Sequence, residues 1–334
     1  SLSKVTTSPL MIGENLIIGD DKGTIYYIDK HGKINWKRNI YKKIYKKIYK
    51  NLNFVINKNN IFVSDNIGFI YAIDLYNGKI LWIKNHGVPL RSNIKIFENK
   101  IFLINQDNRL FCLNTKDGSK IWDVRSISSF IKSQSLLSLA ISKSGNVIAI
   151  TSSGNLLKVK GNSGKIYWSA NISESMLVDA TDFFETSEVV ITDNEIIFSA
   201  GRSIYSYDLK NGYSNWERQI KSIDAPIIIG ENVFIVTENG YFVIIKKDTG
   251  KIISSTNILK ILKKKKQKTK VTGFIIGSGK LYSVTLNGYL IISSASTGKV
   301  ETFKKIGSPV TSSPIIADGK MFILSEDSKL FGFN

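Results

Sequence analysis

The sequence predicts an all-β chain, an eight-bladed β-propeller built from four-stranded antiparallel blades. Three observations predict it. A Gly-x-x-x-Trp ending recurs at Gly32/Trp36, Gly78/Trp82, Gly118/Trp122, Gly164/Trp168 and Gly212/Trp216, and it continues at Gly250 and Gly298 with Ser254 and Thr302 in the Trp position. Successive positions of this kind lie 38 to 48 residues apart, a period that holds four short strands per repeat. Each repeat also alternates short apolar runs with turn residues, as antiparallel strands joined by tight hairpins require.

Asn60–Trp82 shows the unit most plainly. Ile61, Phe62 and Val63 lead into the turn Asn66-Ile67-Gly68, Phe69 to Asp74 forms the next strand, Asn77-Gly78 turns again, and Lys79 to Trp82 begins a further strand. Trp is the bulkiest apolar group that could wedge between neighbouring sheets, so Trp36, Trp82, Trp122, Trp168 and Trp216 are expected to be buried between blades.

Turns count the blades. The first hairpin occurs eight times, at Gly13-Glu14-Asn15, Lys58-Asn59-Asn60, Glu98-Asn99-Lys100, Ser144-Gly145-Asn146, Asp193-Asn194-Glu195, Gly230-Glu231-Asn232, Gly277-Ser278-Gly279 and Asp318-Gly319-Lys320. The second also occurs eight times, ending at Gly23, Gly68, Asn108, Gly154, Arg202, Gly240, Gly288 and Ser328. The third occurs seven times, because the chain ends at Phe333-Asn334. A last blade short of one strand would leave an open edge, so Leu2 to Val5, with anything upstream, is expected to supply an N-terminal closing strand. Residues 1–334 then read as a single propeller domain.

Composition narrows the function. Of the 334 residues 43% are hydrophobic, and no run of 18 apolar residues exists. The net charge of +19 is spread through a chain rich in Lys, Ile and Asn and reads as a solvated surface; nucleic-acid binding would need Lys and Arg clustered with exposed aromatics on one face. Two clusters stand above the background, Tyr41–Lys50 (YKKIYKKIYK) and Lys260–Lys270 (KILKKKKQKTK). Both fall between repeats and read as loop insertions, with anionic lipid or acidic partners as the alternative; the first could form a short amphipathic helix.

No catalytic constellation emerges. Cys112 is the one cysteine and occupies the position of Ala72, a small buried place, so no disulfide can form within the chain. His31 sits in a blade turn and His86 follows Trp82, both expected to be solvated and in no metal or Ser-His-Asp pattern. Gly277-Ser278-Gly279-Lys280 lacks phosphate-loop spacing and fills a hairpin position. Asp29, Asp74 and Asp208 recur at one place in the repeat, where a carboxylate caps a turn. The opening residues SLSKVTTSPL show no leader pattern and no Cys for a lipid, which leaves either a cytosolic protein or one whose targeting segment has been removed.

Tyr71-Ala72-Ile73-Asp74-Leu75-Tyr76-Asn77-Gly78-Lys79-Ile80-Leu81-Trp82 resembles the PQQ-like repeat of quinoprotein propellers, and the likeness covers essentially the whole chain. Length, eight compact units and the lack of added domains are similar to the BamB family of lipoproteins in outer-membrane barrel assembly. That resemblance implies a non-enzymatic periplasmic scaffold at the inner face of the outer membrane, without cofactor or metal. It also implies a monomer within a hetero-complex, attached to the membrane only through an upstream lipid and bound to the periplasmic domains of a BamA-like partner. The alternatives are another envelope protein or polysaccharide as partner, a quinoprotein enzyme, and a nucleic-acid binder. Enzymes of the PQQ group resemble one another in a vicinal Cys pair and a carboxylate-held Ca²⁺, and a single Cys cannot supply the pair.

A scaffold's partner must be read by what does not repeat. Two successive connections are interrupted. One holds Phe130, Ile131 and Lys132, and the next, within Asn171–Thr186, holds Asp179 and Asp182. They match in position the loops through which BamB proteins contact BamA, with Lys132 or no cation where the family has Arg and an acidic pair that aligns in more than one way. These five residues are the expected partner-binding site.

Overall fold

A computed structural model describes residues 10–45, 47–126, 137–172, 186–262, 269–317 and 319–333. Eight antiparallel sheets follow one another along the chain as an eight-bladed β-propeller; seven have four strands and the last has three among the described residues. Each sheet is a simple meander, in which chain order is spatial order. In blade 2 the strands are Leu52–Asn57, Asn60–Asp65, Phe69–Asp74 and Ile80–Asn85. The eighth blade comprises Ile315–Ala317, Lys320–Leu324 and Leu330–Phe333. The expected closing strand, Leu2 to Val5, lies outside the described residues. The chain packs as two compact units whose division passes through the fifth sheet: one runs through Ile196 and takes Tyr207–Tyr213, and the other takes Ile197–Ser206 and continues from Ser214.

In blades 2 to 6 the two middle strands bury both faces, and for this reason they read as continuous apolar runs rather than alternating ones. The pleat sends alternate residues to opposite neighbours. In blade 2, Ile61, Val63, Tyr71 and Ile73 pack with Ile17, Ile25 and Tyr27 of blade 1. Phe62, Ile70 and Ala72 pack with Ile101, Leu103, Phe111 and Leu113 of blade 3. The same interleaving joins blades 5 and 6 through Ile197, Ile204, Val233 and Val243.

The Gly-x-x-x-Trp motif turns out to serve two different interfaces. Each indole N–H donates to a backbone carbonyl in the third hairpin of the following blade: Trp36 to Leu75 at 2.9 Å, Trp82 to Thr115 at 3.0 Å, Trp122 to Gly161 at 2.9 Å, Trp168 to Leu209 at 3.3 Å and Trp216 to Lys247 at 2.7 Å. The glycine of that following blade lies flat against the same ring. At Gly78, Gly118, Gly164, Gly212 and Gly250 a Cβ would sit 2.5–2.9 Å from the indole, and φ there is between +65° and +77°. Only glycine meets both conditions. Trp122 and Trp216 are buried, whereas Trp36, Trp82 and Trp168 keep one edge in solvent, so burial of all five is not what the fold delivers.

Where blade 6 has lost its Trp, another residue takes over the bond. Thr256 donates its hydroxyl to the Thr297 carbonyl at 2.9 Å, and Gly298 lies against Thr256 and Phe242.

A β-bulge falls at the same place in the outer ladder of at least six blades, immediately beside the Trp position, for example between Ala72 and Ile73 where Ala72 pairs with Trp82. The residue before the Trp is the extra one and points outward. This is why Leu81, Ile121, Tyr167 and Ile253 are exposed although they stand in apolar runs.

Turn chemistry agrees with the count of hairpins except in blade 5. There the second turn is the two residues Gly201-Arg202, and the positive φ falls on Gly201 (+56°) rather than on Arg202. Elsewhere this turn opens on an oxygen-bearing side chain that accepts from the backbone: Asp20, Asp65, Asn105, Thr151, Thr237, Thr285 and Ser325. Ala200 holds that place in blade 5, and a two-residue turn leaves no backbone donor for it to receive. Asp29, Asp74 and Asp208 cap their turns as expected, each accepting two backbone N–H groups.

Truncating the wedge tests this packing. Trp122→Ala should cost about 3–5 kcal/mol in denaturant unfolding, and Trp82→Ala should cost less because its indole is already partly wet. Equal losses at the two sites would contradict the geometry.

Candidate functional site

The interrupted connections leave blade 3 after Lys120–Arg125 and blade 4 after Ile166–Asn171. Phe130, Ile131, Lys132, Asp179 and Asp182 lie outside the described residues. Their four stems are described, and they are tied around blades 3 and 4.

The departing ends come first. Ser126 N–H donates to the Asn108 carbonyl at 3.2 Å, and Asn155 Nδ2 reaches Ser126 Oγ at 3.4 Å. Asn108, at φ +57°, accepts on Oδ1 from the Ser152 N–H at 3.0 Å and hydroxyl at 2.9 Å. Ile172, fully buried, donates its N–H to the Gly154 carbonyl at 2.7 Å. Both connections therefore depart beside one turn, Thr151–Asn155.

The returning ends are tied in the same way. Leu137 bridges Ser92 in parallel and donates its N–H to the Arg91 carbonyl. Ser138 then holds two elements at once. Its hydroxyl accepts from the Val189 N–H at 2.7 Å, and its carbonyl accepts from Ile150 at 2.9 Å. Leu137, Ser138 and Val189 are buried, so these bonds work in a setting from which water is excluded. The sequence marks none of Asn108, Ser138, Ser152 and Asn155 as special, since Ser and Asn are ordinary turn residues; only the fold shows that they bind two loops into one neighbourhood.

Charge flanks the stems. Glu188, just before the fifth blade, accepts from Asn93 and lies 3.4 Å from Lys95 Nζ. Asp123 meets Arg109 at 2.5 Å and Lys120 at 2.7 Å, and hydrogen bonds from these two hold its carboxyl below the usual range. Arg109 also lies over the Phe111 ring at 5.4 Å.

The remaining reactive side chains stand apart. His31 is exposed, its N–H donated to Asp29 at 2.9 Å. His86 departs from expectation, for its ring packs on Phe111 at 5.0 Å and burial lowers its pKa. Cys112 is fully buried, and desolvation pushes its thiol up to about 12. A thiol so placed is not a nucleophile at neutral pH. Labelling of Cys112 by a thiol reagent should therefore proceed only as fast as the chain opens, and rapid native-state labelling would contradict the burial.

Comparison with known proteins agrees with this architecture. The family profile described as outer membrane protein assembly factor BamB matches residues 21–256. Outer membrane protein assembly factor BamB of Yersinia pestis is 20% identical over 198 residues, 57% of this chain, and the match spans about half of that protein, 49%. The Salmonella typhimurium protein of the same name is 19% identical over 335 aligned positions, covering 84% of this chain and 83% of the relative. The crystal structure of BamB from Moraxella catarrhalis superposes with a TM-score of 0.80 at 13% identity, over 97% of this chain and 95% of that one. With the profile covering well over half of its length and blades of the same build, the chain belongs to the BamB family of PQQ-type repeat propellers.

Proposed function

We propose that this chain is a non-enzymatic, single-domain scaffold for outer-membrane protein assembly, docking the periplasmic domains of a BamA-like subunit through the 127–136 and 173–185 connections. The observation that carries the reading is the arrangement of the stems: two interruptions of an otherwise regular repeat depart beside one turn, and their returns are joined through Ser138. On this reading Phe130 and Ile131 supply the apolar anchors of the contact and Lys132, Asp179 and Asp182 its charged groups, a composition in which a few anchors carry most of the binding energy. Membership of the BamB family supports a periplasmic location at the inner face of the outer membrane, and a lipid upstream of these residues as the anchor is part of the same proposal. The two histidines stand apart and Cys112 is buried, which favours binding over catalysis.

Calorimetric titration against the periplasmic domains of a BamA-like protein tests the reading. Phe130→Ala with Ile131→Ala should weaken binding by at least about 2 kcal/mol, roughly 30-fold, while the melting temperature stays unchanged. Reversal of Asp179 or Asp182 to Lys should have a smaller effect that grows at low salt. Unchanged affinity in the double variant would remove these loops as the site; no wild-type binding would remove the partner.

A further inference from the structure

The Tyr41–Lys50 insertion is built inside out. Tyr41 and Tyr45 face the protein, while Ile44, Ile48 and Tyr49 face water. A single 3₁₀ turn, Lys43–Tyr45, replaces the amphipathic helix that the four-residue spacing suggests. Tyr41 donates its hydroxyl to Asp65, and its ring lies over Gly23, where a Cβ would be 2.2 Å from the ring. The Tyr41 ring also meets Tyr71 at 5.9 Å and Tyr45 at 6.2 Å, and Tyr45 meets Phe69 at 5.3 Å. Lys50 is fully buried; it donates to the Tyr45 carbonyl at 2.5 Å and lies 5.2 Å from the centre of the Tyr41 ring. Asn66 completes the fastening, donating to the Tyr49 carbonyl at 3.1 Å and accepting from the Asn51 N–H at 2.8 Å.

With the inner side so occupied, Ile44, Ile48 and Tyr49 are held outward, 77%, 45% and 56% exposed. Lys42, Lys43 and Lys47 are exposed among them. Holding three large apolar side chains in water on a fastened loop is a cost that folding does not require, and it points to a surface that receives them. Charge says which kind. Between residues 30 and 64 the chain has ten Lys and Arg and no carboxylate; the carboxylates that meet the insertion, Asp20, Asp21 and Asp65, act on its inner side at Lys50 and Tyr41, with Asp20 and Asp65 buried, so the outward charge of the insertion is that of Lys42, Lys43 and Lys47. Apolar side chains among lysines on a small protrusion suit the boundary between anionic headgroups and acyl chains, where each supplies its own part of the attraction.

We propose that the 41–50 insertion is a membrane-contact element that seats Ile44, Ile48 and Tyr49 in the interfacial layer of an anionic lipid bilayer, with Lys42, Lys43 and Lys47 on the headgroup phosphates. It orients the propeller at the bilayer surface without spanning it. The inference is independent of the BamA-like partner, because it rests on a different loop and a different ligand.

Co-sedimentation of the purified chain with phosphatidylcholine vesicles, with and without phosphatidylglycerol, is the test. The wild type should bind the phosphatidylglycerol vesicles and hardly bind phosphatidylcholine alone. Ile44→Ser with Ile48→Ser and Tyr49→Ser should lower binding about tenfold at unchanged net charge. Lys42→Glu with Lys43→Glu and Lys47→Glu should abolish it, and added salt should weaken the wild type in the same direction. All six side chains are exposed, so the variants should melt as the wild type does. Full binding by the serine variant would mean that diffuse positive charge alone attracts the chain, and would overturn the proposal. So would a failure of the wild type to bind, or a serine variant that keeps lipid binding but loses affinity for a BamA-like partner, which would make the patch a protein contact.

Discussion

The interaction on which the rest of the structure depends is the indole of one blade seated against the glycine of the next. A four-stranded meander cannot bury either of its faces alone, so it is stable only through its neighbours. The Trp packs into the same clusters as the aliphatic side chains of that interface, Trp36 with Ile73 and Leu75, and Trp82 with Phe62 and Leu113. Its N–H satisfies a turn carbonyl of the adjacent blade, which sets register along the interface as well as distance. The bulge beside the Trp belongs to the same device, since the extra residue turns the outer strand so that the ring faces sideways into the neighbour. Replacement of the aromatic by Thr256 at one interface shows that the carbonyl must be met even when the wedge is dispensed with.

Repetition of this kind makes the interior uninformative about function and concentrates information in the connections. The links after blades 2, 5 and 7 are short, with eight or nine residues between strands. The three longer ones in the first unit are fastened in two different ways. Residues 41–50 are fastened by aromatic packing and a buried lysine, which commits the aliphatic side chains to water. The stems of the 127–136 and 173–185 connections are fastened by backbone and Ser or Asn hydrogen bonds around blades 3 and 4. A rigid platform carrying adjacent loops is how a repeat scaffold acquires a specific partner without altering its core.

The positive charge, conspicuous in composition, explains little about the fold. Its ion pairs are largely exposed, such as Lys30–Glu14 and Lys143–Asp193, and exposed pairs of this kind contribute little to stability. Its importance lies at the 41–50 insertion, where Lys42, Lys43 and Lys47 are exposed. There it biases encounter with anionic surfaces, over a range set by the Debye length, while the apolar side chains govern how long contact lasts.

By itself the sequence determined the fold class, the number of blades and the place of most turns, because a repeat reports the same local chemistry many times over and chance resemblance averages out. Glycine at positive φ, a carboxylate two residues ahead of a backbone donor and an aromatic at a constant spacing are local requirements, and local requirements are written in local sequence. Only tertiary structure decided that the Gly and the Trp of one motif belong to different interfaces, that the residue before each Trp faces outward, and that Thr256 stands in for a missing indole. It alone placed His86 on Phe111, buried Lys50 beneath Tyr41, and drew the stems of two loops together around blades 3 and 4. Each of these is a contact between residues distant in sequence, whose energy depends on which side chains the fold leaves space for, and no spacing within a single repeat encodes that.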